Sequence, residues 1–154
     1  MSQQRTSILN KFKTRLNTYY GPSGSELKMF RKVLGGPLRP TKQHPSATIS
    51  DNGQSKGPDN DEVSQGRILG IRTWLHLSDT WERLTTFQEW SDNVELIIHK
   101  MQNWLPASCG ATRMEYVSDD PIDVIFTSGA TEALWVVDFE AHYFTEMELR
   151  DNWT

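Results

Sequence analysis

The residues of this 154-residue chain that could do chemistry are four histidines, three aspartates and one cysteine. They are His44, His76, His99, His142, Asp119, Asp120, Asp123 and Cys109. The histidines are scattered, and none has the i, i+4 partner with which a helix presents a metal-binding pair. The aspartates surround a proline and could face a cation, but turn aspartates commonly bond their own backbone. A single cysteine excludes an internal disulfide and a Cys-based zinc site. We therefore expect no catalytic residue, metal site or cofactor.

One run of small and hydroxyl-bearing residues follows an apolar segment near the C-terminus: Thr127-Ser128-Gly129-Ala130-Thr131-Glu132. It resembles the Thr-Ser-Gly-Ala-Thr-Glu run of cysteine desulfurases and related class V aminotransferases. In that family the run opens a helix and holds the phosphate of pyridoxal phosphate, which suits a helix N-terminus. The family's Schiff-base lysine comes downstream of the run, whereas here no lysine follows Lys100. A small enzyme that binds a phosphate ligand at this loop is thus a minor hypothesis.

Charge divides the chain into two parts of opposite sign. Residues 1–45 carry nine Lys or Arg and one acid, a net of +8, whereas residues 46–154 carry a net of −12. A basic segment on an acidic body should bind anionic lipid or an acidic protein face. Direct nucleic-acid binding is less favoured, because the acidic body would repel a polyanion.

The basic segment has the pattern of an amphipathic helix over residues 6–20, and a second short helix is predicted over residues 25–34. We expect residues 1–38 to form a basic amphipathic arm. Its predicted binding residues combine an apolar face with flanking cations: Ile8, Lys11, Phe12, Lys13, Arg15, Leu16, Lys28, Arg31 and Lys32. The arm could lie on a membrane surface or an acidic partner. It could equally dock on its own domain or on a neighbouring subunit.

The central positioning element is a predicted amphipathic helix over residues 86–105. Its apolar residues recur at steps of three and four, and Thr86 with Glu89 forms a capping box. Pro106 should end the helix.

The remaining segments predict a sheet for this helix to cover. Residues 39–66 are polar and rich in Pro, Ser and Gly, which predicts a disordered linker.

Strands are predicted over 67–77, 111–117, 122–127 and 132–144, the last two as an antiparallel hairpin. The expected fold class is α+β: a small antiparallel sheet of about four strands packed by one central amphipathic helix, with a basic helical N-terminal arm. Residues 67–154 would be the folded domain.

Two sequence features carry a second resemblance. Residues 45–48, Pro-Ser-Ala-Thr, differ by one proline from the Pro-Ser/Thr-Ala-Pro tetrapeptide of viral budding proteins. Further on, Leu75-His76-Leu77 and Phe87 are followed by Ser91-Asp92-Asn93-Val94 and an amphipathic run to Trp104. With the basic N-terminus, this order resembles matrix proteins of negative-strand RNA viruses, rhabdoviruses in particular, in which a strand leads to Ser-Asp-x-Val and a helix.

That resemblance implies a non-enzymatic protein that self-associates and binds an anionic membrane or the viral nucleocapsid protein through its basic arm. It implies a homo-oligomer without a small-molecule substrate, located in the cytoplasm, peripherally on the inner membrane of the host cell, or in the virion. The acidic body of one copy could accept the arm of the next. A cytosolic adaptor domain that binds one host or viral protein is the alternative.

Overall fold

The computed structural model describes residues 4–60, 64–84, 86–102, 104 and 111–146. In chain order the elements are α1 (Gln4–Tyr20), β1 (Lys32–Gly35), β2 (Ser46–Asn60), β3 (Ser64–Ser78), a 3₁₀ turn (Trp81–Arg83), α2 (Phe87–Gln102), β4 (Ala111–Ile125) and β5 (Thr131–Glu146). The fold class is α+β, as the sequence predicts.

The five strands form one sheet in the order β1-β2-β3-β5-β4. β1 runs parallel to β2, and the other neighbours are antiparallel, so the sheet is mixed and larger than the four antiparallel strands predicted. The extra strand β1 lies where the second short helix was predicted, and that prediction is wrong. The backbone N–H groups of Met29 and Phe30 both bond the carbonyl oxygen of Tyr20, at 3.1 and 2.9 Å, which folds the chain back along α1 instead of starting a new helix.

The prediction of a disordered linker over residues 39–66 is wrong for most of its length, because β2 occupies Ser46–Asn60 and β3 begins at Ser64. Ala47 and Ile49 are buried against the core, and Ile49 pairs with Thr73 of β3. Residues 51–53, 55 and 56 of β2 are exposed, yet the backbone of this strand still pairs with β3. The polar composition of this segment does not prevent a strand, because the hydrogen bonds between strands come from the backbone and need no apolar side chain.

Both helices contribute to a single hydrophobic core with one face of the sheet. α1 buries Ile8, Phe12, Leu16 and Tyr20, at steps of four, and α2 buries Val94, Ile97, Ile98 and Met101. The ring of Phe12 lies 5.3 Å from that of Phe139 on β5. α1 is therefore part of the folded domain rather than a separate arm, and the boundary predicted between residues 38 and 67 does not divide the core.

The antiparallel hairpin of β4 and β5 is confirmed, although β4 is one strand rather than two. The expected turn around Pro121 is instead paired, with Pro121 opposite Trp135. A residue that lacks an N–H group is tolerated there because β4 is an edge strand, whose outer side has no partner in the sheet. The connecting loop turns at Gly129, whose φ of 89° favours glycine.

Candidate functional site

The apolar residues predicted to insert into a membrane or partner are not at the surface. Ile8, Phe12 and Leu16 are fully buried between α1 and the chain's own core. The expectation that they form an exposed binding face is therefore corrected by the fold. Docking of the helix on its own domain, the other interpretation of the pattern, is the arrangement observed.

Two arginines near the N-terminus are engaged by other residues of their own chain. Arg15 donates hydrogen bonds from Nε and Nη2 to the carbonyl oxygen of Lys100, at 3.2 and 3.0 Å. Its guanidinium also lies 5.0 Å from the ring centroid of Tyr19 and 5.3 Å from that of Trp104. Arg5 bonds Asp51, and this contact lowers the pKa of the Asp51 carboxyl. Neither arginine is free to bind a second molecule without loss of these contacts.

Of the cations predicted to bind, those that remain exposed lie on α1, in the turn after it and at β1. They are Lys11, Lys28, Arg31 and Lys32, whereas Lys13 is half-buried. Arg39 and Lys42 are also exposed and lie between β1 and β2. The one acid in this region, Glu26, pairs with Lys100 on α2, and the hydrogen bond from Lys100 lowers the pKa of its carboxyl. Glu26 is thus held by α2. We call Lys11, Lys28, Arg31 and Lys32 the basic surface.

The far edge of the sheet carries the opposite charge. β4 presents the acids Glu115, Asp119, Asp120 and Asp123, with Arg113 as its one cation. Asp119 accepts hydrogen bonds from the indole N–H of Trp135, at 2.7 Å, and from the hydroxyl of Tyr116. Burial, followed by the contact with Asp119, raises the pKa of Tyr116 to about 12. Three strands separate β1 from β4, so the basic and acidic edges lie about 19 Å apart.

An apolar groove opens beside the acidic edge, where the start of α2 meets β4. Its cavity of about 400 Å³ is lined by Trp81, Leu84, Phe87, Pro121, Ile122 and Asp123. The ring of Phe87 lies 5.7 Å from that of Trp81 and 5.0 Å from that of Trp135, and its side chain is still 51% exposed. We call this feature the aromatic groove.

A buried polar cluster lies on the sheet face opposite the helices. Residues 36–45, which we call the strap, connect β1 to β2 and reach Glu132 at the start of β5. His44 Nε2 lies 2.8 Å from Glu132 Oε1, and the backbone N–H of Thr41 donates to Oε2 at 3.1 Å. Glu132 is 2% exposed, so these bonds fasten the strap to the sheet away from water.

The same carboxylate binds a second imidazole beneath the strap. His76 Nδ1 lies 3.0 Å from Glu132 Oε1, and its Nε2 lies 2.9 Å from the hydroxyl oxygen of Thr48. Because a carboxylate can only accept, Nδ1 carries the hydrogen and Nε2 of the neutral ring accepts from Thr48. Burial lowers the pKa of His76, which favours this neutral form.

The Thr48 hydroxyl, the His76 imidazole and the Glu132 carboxylate stand in the order of a hydrolytic triad, but the hydroxyl and the imidazole are closed off from solvent. Thr48 is 4% exposed and His76 is fully buried. The adjacent cavity of about 710 Å³ is lined by His44, Glu132 and the loop before β5, and Thr48 and His76 are not in its wall. In this arrangement the cluster anchors the strap. No local sequence pattern indicates this cluster, because His76 and His44 are 56 and 88 residues from Glu132 and only the sheet brings them together.

The run of residues 127–132 that resembles the phosphate-binding run of class V aminotransferases takes a different local structure here. Residues 127–130 form the hairpin loop, and β5 begins at Thr131, so a strand stands where that family has a helix N-terminus. Within the described ranges, no group of three His, Cys, Asp or Glu side chains is placed to hold a metal ion. No described helix has both the length and the apolar character to cross a bilayer.

Comparison with known proteins assigns no family to the chain. No protein-family model matches it, and no curated protein matches it significantly. A function has to be argued from the basic surface, the acidic edge, the aromatic groove and the strap.

Proposed function

We propose that the protein is a non-enzymatic, matrix-like structural protein that self-associates and binds anionic surfaces through its basic surface. The observation that carries this proposal is the separation of charge: the basic surface lies near α1 and β1, whereas the acids of β4 lie at the opposite edge of the sheet. Such a molecule attracts further copies of itself and is attracted to anionic lipid or to an acidic nucleocapsid protein. Its location would be the cytoplasm, peripherally on the inner membrane of a host cell, and the virion.

The fold limits how the anionic surface would be bound. Because Ile8, Phe12 and Leu16 are buried, binding would rest on charge rather than on inserted side chains. Near an anionic membrane each cation contributes about 1 kcal/mol, and this contribution is screened by salt. Binding by the basic surface should therefore be moderate, reversible and strongly salt-dependent.

The test measures sedimentation with phosphatidylserine vesicles at low salt, and self-association in the same buffer. Lys28→Glu with Arg31→Glu should weaken vesicle binding by about 30-fold or more, since two charge reversals remove at least two favourable contributions. The control, Lys42→Glu with Lys56→Glu, makes the same change in net charge at exposed sites between β1 and β2 and on β2, outside the basic surface and the acidic edge. Deletion of residues 1–45 is unsuitable, because it would remove α1 from the core.

Two results would count against the proposal: a wild-type protein that neither self-associates nor binds vesicles, or binding that 0.5 M salt leaves unchanged. A monomer with one stable partner would favour the adaptor alternative, for which the exposed aromatic groove is the specific supporting feature. The phosphate-ligand enzyme would require stabilisation of the protein by phosphate esters.

A further inference from the structure

The aromatic groove leaves a large apolar side chain in water. Phe87 is 51% exposed, although it is packed between Trp81 and Trp135. Aromatic side chains fixed in a concave site are typical anchors of protein interfaces. One acid, Asp123, lines the groove, and an exposed acid, Glu82, follows the lining residue Trp81 in sequence. Its occupant should therefore combine an apolar side chain with a flanking cation.

The turn between α1 and β1 has this chemistry. Leu27 is 43% exposed, and the next residue, Lys28, is an exposed cation. The turn is fixed in place, because the N–H of Leu27 bonds the carbonyl of Tyr19 at 3.2 Å, and Phe30 stacks on Trp90 at 6.1 Å. A side chain presented on an ordered turn loses little conformational entropy on binding, which favours association.

We propose that the aromatic groove of one copy binds Leu27 of a second copy, with Lys28 of that copy beside Asp123. This inference rests on the proposed self-association and names its contact. A second copy is required because the turn is held against α1 and α2 of its own chain, and Leu27 is absent from the lining of its own groove. The groove is large enough to take Leu27 together with the aliphatic stem of Lys28.

The experiment uses sedimentation velocity of the full chain with two knock-out variants. Leu27→Ser removes the inserted side chain and leaves the groove intact, whereas Phe87→Ser opens the groove and leaves the turn intact. Each variant alone should self-associate at least tenfold more weakly than wild type. A 1:1 mixture should recover one intact contact and form a heterodimer that does not grow further. Leu96→Ser, at an equally exposed leucine of α2 (46%), is the matched control and should behave as wild type.

A charge swap tests the same contact without removing a packed ring. Lys28→Glu and Asp123→Lys should each weaken association, and the double variant should restore it, because the two charges are again opposite. Asp92→Lys, at an exposed acid on α2, controls for the change in net charge. Circular dichroism checks that every variant is folded.

The outcomes separate this inference from the function on which it rests. If the wild-type protein remains a monomer at low salt, the proposed self-association fails. If it associates and both knock-out variants still associate like wild type, only the contact proposed here is overturned. If Phe87→Ser alone disrupts association, the groove binds another part of the neighbouring copy, which also overturns the assignment of Leu27.

Discussion

The guanidinium of Arg15 donates two hydrogen bonds to the backbone carbonyl oxygen of Lys100 and so ties α1 to the last turn of α2. A cation at this position faces the carbonyl end of the helix, where positive charge is favourable. Arg15 and Lys11 belong to the same basic pattern of α1. Arg15 connects α1 to α2, whereas Lys11 is exposed to solvent. The basic segment therefore contains two functionally different sets of cations.

Arg15→Gln should destabilise the domain by about 1–3 kcal/mol, because a charge-assisted contact is lost and the Lys100 carbonyl keeps no equivalent donor. Urea unfolding measures this change. Lys11→Gln, at an exposed position on the same helix, should change stability by no more than about 0.5 kcal/mol. Equal effects of the two substitutions would show that the contact between Arg15 and Lys100 contributes nothing.

Phe12→Ala should cost about 3–5 kcal/mol of stability, the range for removal of a buried aromatic side chain. The reason is its position between Phe139 and Trp104, at ring distances of 5.3 and 6.4 Å. The control is Leu96→Ala, at an exposed apolar residue of α2, which should be nearly neutral. A protein unaffected by Phe12→Ala would support a detached arm instead of a core helix.

Glu132→Ala should release the strap, because Thr41, His44 and His76 all lose their common acceptor. Leaving a buried donor without its acceptor costs about 1–3 kcal/mol. Hydrogen exchange at the Thr41 amide should accelerate in this variant, and limited proteolysis should cut within residues 36–45. Glu95→Ala, at an exposed glutamate of α2, should leave both readouts unchanged.

Stability should fall as the pH decreases below about 6.5, and His76 should cause part of this loss. Burial lowers the pKa of His76 from its ordinary value of 6.5, so the unfolded chain takes up a proton at a higher pH than the folded chain does. The stabilisation is complete above the unfolded pKa and is lost as the pH falls through the folded pKa, with a slope of at most about 1.4 kcal/mol per pH unit.

Urea unfolding between pH 5 and 7.5 measures this slope. His76→Gln should lower stability at pH 7.5 and flatten its decline toward pH 5. The matched substitution His99→Gln, at an exposed position on α2, should preserve the wild-type slope. A slope that survives in His76→Gln would assign the pH dependence to other groups.

Sequence patterns predicted a helix or strand well where one of its faces packs against the core. The period of α2 predicted a helix over 86–105, and the structure has it over Phe87–Gln102, directly after the predicted cap at Thr86. The alternation of β5 placed Trp135, Val137 and Phe139 on one face, and all three are buried in the core. Such patterns are informative because the geometry of a helix or strand fixes which neighbours share a face.

Prediction failed where hydrogen bonds to a neighbouring strand override the local composition. β2 was expected to be a disordered linker, and its strand structure depends on hydrogen bonds to β3, as between Ile49 and Thr73. The acids around Pro121 were expected to form a turn, and the extended partner β5 keeps them in a strand instead. In both segments composition favoured an irregular backbone, and the ladder of a neighbouring strand overrode it.

The sequence by itself determined the α+β class, two amphipathic helices, an antiparallel C-terminal hairpin and the opposite charges of the two parts of the chain. Only the tertiary structure decided that the apolar face of α1 turns inward, that Arg15 is engaged while Lys28 is free, and that Glu132 meets His44 and His76. The physical reason is that periodicity specifies which side chains point the same way. What those side chains contact depends on residues far away in the chain, which no local pattern encodes.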